Sequence, residues 1–337
     1  MMISRTDRAS LLSIVEKFPR QRIILLGDLV ADEFVYGEIA RVSREAPVLI
    51  LKQREKKVVP GGGANAVNNL ADLGAKAVPV GVVGGDETGE ALLQYFQQKG
   101  ISTRAILHLR NHVTPTKSRI LGGLAHWQRQ QIVRVDREPS QPLQHELRRK
   151  LRLKAASLLP RASALLISDY GYGSTDAQEV EFLRRRPQAR ALPFTLDSRF
   201  DLLSYTQLTA ATPNEPEVEE AFRQKIGNNL AVLHRLGKKL LRRQSLEALL
   251  VTRGRDGMVL FEPGRAPKHL AVFGSDQAVD VTGAGDTVIA AFTLARAAGA
   301  SFFHAAQIAN CAGGLVVMKR GTATVTASEL KEAIRNA

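Results

Sequence analysis

The chain has 337 residues, 44% of them hydrophobic, enough to bury a large core as one big domain or as two. A formal net charge of +14 raises nucleic acid or an acidic surface as a partner, but aromatic content is only 5% and no basic strip interleaves with rings that could stack bases. The single cysteine, Cys311, excludes an internal disulfide and a Cys-rich zinc site; residues 1–18 carry Arg5, Asp7, Arg8, Glu16 and Lys17 instead of a signal peptide's apolar run, and no later apolar run reaches membrane-span length. A cytoplasmic protein that binds neither nucleic acid nor membrane is expected.

Residues 8–18 suggest a short helix, and residues 22–26 a buried strand ending at Gly27-Asp28. Polar residues at the carboxyl end of a first strand mark the ligand edge of an open α/β sheet, so Asp28 and Asp32 become candidates, with turn capping as the plainer alternative. Residues 34–59 mix β-branched and aliphatic residues with charges and read as strands outside the main sheet. Pro60-Gly61-Gly62-Gly63-Ala64-Asn65 then opens a helix running to Leu73. Its glycines let a ligand approach the backbone and Asn65 can serve hydroxyls; a flexible turn is the alternative. Residues 77–83 read as a strand and 88–98 as a helix, while 116–120 and 131–135 alternate again and join 34–59 in a small β lid. Strand, polar edge and helix then repeat: 164–168 into Asp169-Tyr170-Gly171, 194–196 into Asp197, 208–212 into Pro213-Asn214-Glu215, and 249–252 into Arg253-Gly254. Repetition of this kind predicts an α/β protein with a mostly parallel central sheet and helices on both faces. Basic runs at 148–154 and 238–243 carry leucines at near-helical spacing and read as solvated helix faces. The expectation is one domain over residues 1–337, with lid insertions at about 34–59 and 115–136.

Asp280-Val281-Thr282-Gly283-Ala284-Gly285-Asp286, followed by an apolar helix over 287–298, points backbone N–H groups at one spot. Such a loop is an anion hole. Asp286 at its end is either a general base for whatever attacks that anion or a helix cap. Asn214 and Glu217 offer oxygens to Mg²⁺ or its waters if that turn begins a helix, although Asn-Glu-Pro-Glu is also a good helix start. Phosphate loops of the Gly-x-x-x-x-Gly-Lys-Ser/Thr type, Gly-x-Gly-x-x-Gly, His-Glu-x-x-His and Gly-x-Ser-x-Gly are all absent.

Asp32, Gly61-Gly62 to Asn65, Asn214-x-x-Glu217, Thr252-x-Gly254 and the string 280–286 occur in the order and spacing of ribokinase-like (PfkB) sugar kinases, which the chain resembles over nearly its whole length. Arg41-Val42-Ser43-Arg44-Glu45-Ala46-Pro47-Val48, Thr114-Pro115-Thr116-Lys117-Ser118-Arg119, Ser168-Asp169-Tyr170 and Gly321-Thr322-Ala323-Thr324-Val325 are similar to the D-glycero-D-manno-heptose-7-phosphate kinases of ADP-heptose synthesis. The resemblance implies a ribokinase-like fold and an ATP- and Mg²⁺-dependent kinase. It implies that Asp286 is the base, that Gly283, Ala284 and Gly285 form the hole for the transferred phosphoryl group, and that Asn214 and Glu217 organise Mg²⁺ through water. Thr252 and Gly254 then resemble the nucleotide turn, Asp280 and Thr282 a monovalent-cation (K⁺) site near Gly321, and Asp32, Gly61, Gly62, Asn65 and Asp169 the sugar contacts. Lys117 and Arg119 on the lid, with Arg41 and Arg44, would grip a sugar phosphate; an exposed strand-edge charge explains Lys117 and Arg119 as well.

Three departures bear on the sugar. The heptose kinases carry lysine where this chain has Tyr172, and Asp-Pro-Lys where it has Asp197-Ser198-Arg199; the lid is longer around Gly122 to His126. Those kinases are often fused to a C-terminal nucleotidyltransferase, a step expected here of a separate partner. Apolar lid residues such as Val48, Ile50 and Ile132 predict a homodimer through the lid. The alternatives are a kinase for another sugar and a catalytically silent sugar- or nucleotide-binding regulator.

Overall fold

A computed structural model describes residues 5–123, 130–275 and 277–337; of the expected lid extension, residues 124–126 lie outside the described residues. Eight strands form the central sheet in the order Lys268–Leu270, Met258–Phe261, Ala248–Thr252, Ala210–Ala211, Phe194–Ser198, Ala164–Asp169, Arg22–Gly27 and Lys76–Val80. The first two pair antiparallel and the rest parallel. Alternation along each strand divides the core into two layers. Ile23, Leu25, Leu166 and Leu250 pack beneath helices Gly62–Asp72, Ala284–Ala297 and Phe302–Val316, while Ile24, Leu26, Leu165, Ile167 and Leu249 face helices His145–Leu158, Ala177–Arg184 and Leu230–Arg243. The mostly parallel sheet with helices on both faces is therefore the observed architecture.

A second sheet, in the order Leu49–Gly61, Leu29–Val42, Thr116–Gly123, Gln130–Arg137, stands apart as the lid. Its strands begin at Leu29 and reach Gly61, so Asp32 lies within a lid strand rather than in the turn after the first core strand. The expected strand at 77–83 is two pieces, because Val82–Gly84 leaves the main sheet to pair with Leu107–Leu109. The antiparallel hairpin 258–270 at the sheet edge has strands of only 4 and 3 residues and was not visible as a strand pattern. Among the described residues no helix is long and apolar enough to cross a membrane.

Candidate active site

Two helix N-termini meet at the carboxyl edge of the sheet. Helix Ala284–Ala297 starts from Gly283, whose φ of +76° and whose missing side chain are both required: a Cβ there would lie 2.4 Å from Asn65 Nδ2. Asp286, in the first turn, does not cap this helix. Gly283 is the N-cap, and the Asp286 carboxylate accepts instead from Asn65 Nδ2 at 2.9 Å and from the Tyr170 hydroxyl at 2.8 Å. Asn65 comes from helix Gly62–Asp72 and is aimed by Asn69, whose Nδ2 donates to Asn65 Oδ1 at 3.2 Å; the Thr287 hydroxyl in turn donates to Asn69 Oδ1 at 2.9 Å. A buried hydrogen-bonded chain thus locks the two first turns together. Burial pushes the Asp286 carboxyl up, neighbouring Asp197 adds to this, and the Asn65 and Tyr170 bonds pull it back, leaving it at about 7.

Above Asp286 opens a cleft of about 280 Å³ lined by Asp32, Gly62, Lys117, Arg119, Asn214, Glu217, Thr252, Thr282, Gly283 and Gly285. Residues far apart in sequence are therefore brought together. A second pocket of about 360 Å³ shares Thr252 and Gly285 with it, holds Gly254 and Ala284, and is walled by Val272, Val281, Val288 and Val317. Gly285 stands between the two, and a Cβ on it would meet nothing within 4 Å. Asn214 caps helix Glu215–Phe222 in a reciprocal box: Glu217 N–H donates to Asn214 Oδ1 at 2.8 Å, and Asn214 N–H to Glu217 Oε2 at 2.9 Å. Burial raises both Glu217 and Asp197, and proximity to Glu217 raises Asp197 further. The Thr212 hydroxyl, also in the cleft wall, is buried with no hydrogen-bond partner. Two carboxyls without an ion-pair partner among the described residues and an orphaned hydroxyl form a hard oxygen donor set that fits Mg²⁺. Asp280 joins two loops, its oxygens accepting the Thr282 N–H at 2.9 Å and the Gly321 N–H at 2.8 Å. Burial opposes its charge, yet these bonds outweigh burial and hold its carboxyl below the usual range, so it remains an anion beside which K⁺ fits.

Three expectations need correction. Asp169 does not reach the cleft: it accepts from Gly171 N–H (3.0 Å) and from the Ser198 and Tyr205 hydroxyls (3.0 and 2.9 Å) inside the core. Arg119 is no free phosphate grip, since its guanidinium pairs at 2.5 Å with Asp32, whose other oxygen accepts from the Thr322 hydroxyl at 2.7 Å. Arg41 and Arg44 are exposed on the lid and do not line the cleft. Gly61 lies under Asp32, where a Cβ would come within 2.7 Å of the carboxyl carbon. Asp28 is structural, its carboxylate accepting the N–H groups of Tyr170, Tyr172 and Ser174 at 2.9, 3.0 and 2.9 Å. Sequence reasoning gave no site role to Tyr170, Arg199, Thr212 or Thr322, although Tyr170, Arg199 and Thr322 stand in motifs it quotes. For Tyr170 a signal existed, because its neighbour Asp169 had been singled out and side chains alternate at a strand end.

The family model for pfkB carbohydrate kinases matches residues 29–329. The chain belongs to the pfkB family of carbohydrate kinases. Among its relatives, bifunctional protein HldE of Desulfatibacillum aliphaticivorans is 36% identical over 96% of this chain and 65% of that protein, and HldE of Hahella chejuensis is 38% identical over 94% and 64%. The chain thus spans about 65% of the length of such relatives. Arabidopsis thaliana ribokinase complexed with ribose and ATP superposes with a TM-score of 0.71 at 18% identity, covering 94% of this chain and 98% of that one. Phosphofructokinase-2 of Escherichia coli in complex with potassium gives 0.74 at 16%, with the same coverage. The pfkB chain therefore has the ribokinase-like fold.

Proposed function

We propose that this kinase transfers the γ-phosphoryl group of ATP to a hydroxyl of a sugar phosphate, with heptose 7-phosphate, converted to the 1,7-bisphosphate, as the acceptor that its sequence motifs favour. The position of Asp286 carries the reading: a carboxylate with a pKa near 7 lines the polar cleft next to Gly285, where that cleft meets an apolar pocket. The acceptor hydroxyl gives its proton to an Asp286 oxygen as its own oxygen bonds the γ-phosphorus. The bond from that phosphorus to the bridging oxygen breaks, and ADP leaves. Gly283 and Gly285 present N–H groups at the start of the helix to the transferring group, while the Ala284 N–H donates to the Val281 carbonyl at 3.2 Å and shapes the loop. Asp32 and Gly62 orient the sugar, Asn65, buried with both amide atoms engaged, orients Asp286 instead, and Gly61 keeps room beneath Asp32. Thr252 and Gly254 border the pocket for the nucleotide.

Asn214 and Glu217, with Asp197 and Thr212 beside them, would hold Mg²⁺ through water; bound there, the ion would neutralise phosphate charge. Among the described residues no three His, Cys, Asp or Glu side chains cluster as a direct cage. Asp280 and Thr282 would flank K⁺. A single-domain kinase with a two-part lid, working in the cytoplasm on small molecules, completes the proposal. Exposed Val42, Val48, Leu49, Ile132, Val133 and Val135 on the lid support a homodimer through that face. Sedimentation at micromolar concentration should give a dimer, and a monomer would remove that part. The deciding experiment is ADP release with Mg²⁺, ATP and a panel of heptose 7-phosphate, fructose phosphates, ribose, fructose and nucleosides. A free sugar or nucleoside outperforming every sugar phosphate in kcat/KM would overturn the sugar-phosphate reading.

A further inference from the structure

The reaction cleft continues past Lys117, Tyr170 and Arg199 into a side cavity of about 320 Å³. Charge in this cavity is unevenly matched. Its two acids are engaged: Asp136 takes Arg134 through paired contacts of 2.9 Å each, and Glu138 accepts the Tyr172 hydroxyl at 2.8 Å. Its two cations are not. Among the described residues neither the Lys117 ammonium nor the Arg199 guanidinium makes a hydrogen bond or ion pair. Each rests only on a ring: Lys117 Nζ lies 4.9 Å from the Tyr170 centroid, and the Arg199 guanidinium carbon 5.3 Å from the centroid of Phe200, itself 65% exposed. Lys117 sits opposite Asp136 in the lid register, yet Asp136 is turned to Arg134.

Two unpaired cations facing one cavity call for an anion with several acceptor oxygens. We propose that this side cavity seats the phosphate the acceptor already carries, held between Lys117 and Arg199, and that Arg199 is the specificity residue that selects phosphorylated acceptors. The inference rests on the kinase reading of the adjoining cleft and adds which end of the acceptor lies where. Tyr170 sets the spacing: its hydroxyl touches Asp286, where the reacting hydroxyl belongs, and its ring carries Lys117. Acceptors with the phosphate remote from the reacting hydroxyl fit this arrangement. Burial and the nearby Arg199 both hold the Lys117 pKa below its usual value, a repulsion that a phosphate would relieve.

Calorimetric titration in the Asp286→Asn background, which separates binding from turnover, provides the test. Heptose 7-phosphate and fructose 6-phosphate are compared with the same sugars lacking phosphate, with and without Arg199→Ala or Lys117→Gln. Each substitution is expected to weaken the phosphorylated ligands roughly 10- to 100-fold and to change the free sugars less than about twofold. Equal losses for both ligand types, no loss for either, or no preference for phosphorylated ligands when both cations are present would overturn the proposal. Exposed Arg199 tolerates truncation, and Lys117→Gln keeps the aliphatic stem, so a folding failure cannot stand in for the result. Wild-type ADP release is read separately: sugar phosphates that bind through Arg199 without yielding ADP keep the subsite and overturn the kinase reading.

Discussion

The two cavities that meet at Gly285 differ in what lines them. On the side proposed for the acceptor the walls are ionic and interlocked, with Asp32 held by Arg119 and Thr322, Asp286 by Asn65 and Tyr170, and Glu217 by Asn214. On the side proposed for the nucleotide, valines from four segments surround Gly313 and Gly314 with few charges. On the proposed reading, the first cavity would discriminate by which polar pairs a ligand can replace and the second by shape. Substitutions should follow the same division, altering specificity and pH response on one side and affinity on the other.

The largest effect should come from the floor of the first cavity, next to the border. Asp286→Asn is expected to lower turnover about 10²- to 10⁴-fold while nucleotide affinity stays within a factor of two; a loss under roughly tenfold would remove Asp286 from the chemistry. Gly285→Ala sharpens the comparison at the border itself. Its new methyl meets no protein atom within 4 Å, so the protein should gain about 0.4–1 kcal/mol in denaturant titration while losing on the order of 10²-fold in kcat/KM. Equal stability and activity would mean that nothing reactive approaches that backbone.

Tyr170→Phe probes the acceptor side alone. Asp286 must be ionised to accept a proton, so activity falls as pH drops through its pKa of about 7. Losing the Tyr170 hydrogen bond, which stabilises the ionised Asp286, should move the acid limb of kcat/KM to higher pH, with the nucleotide KM little changed. An unmoved limb would make Tyr170 a packing residue only. The smallest effect concerns stability. Asp286, Asp197 and Glu217 all have raised folded-state pKa values, so between about pH 4 and 7 the folded protein holds protons that the unfolded chain has released. Without divalent ions these groups should make stability fall as pH rises through that window. Glu217→Gln should flatten the fall in melting temperature between pH 5 and 8, and an unchanged slope would exclude Glu217 as a contributor.

Much of this was legible where function is written in contiguous residues. The string 280–286 places a glycine at a positive φ, a helix start and an acid within seven residues, and Asn214 to Glu217 is a helix start by composition alone. What remained hidden depends on pairing across the fold. Arg119 and Arg199 look alike as letters, but one is consumed by Asp32 and the other is left over, a difference set by lid register and by the strand end at Ser198. Asp169 and Tyr170 are neighbours whose side chains face opposite ways, so choosing the acid selected the structural member of the pair.

That last arrangement limits how such a chain can change over evolutionary time. Strand Ala164–Asp169 is fixed on both sides by parallel partners, Arg22–Gly27 and Phe194–Ser198, and Asp28 grips the loop that follows with three N–H bonds. Deleting or inserting one residue within it would exchange the two faces, turning an aromatic hydroxyl into the core and a carboxylate toward Asp286. Two facing acids would then replace a donor and an acceptor. Length variation should therefore accumulate in exposed turns such as 263–266, while the strand keeps its residue count even where its apolar letters drift.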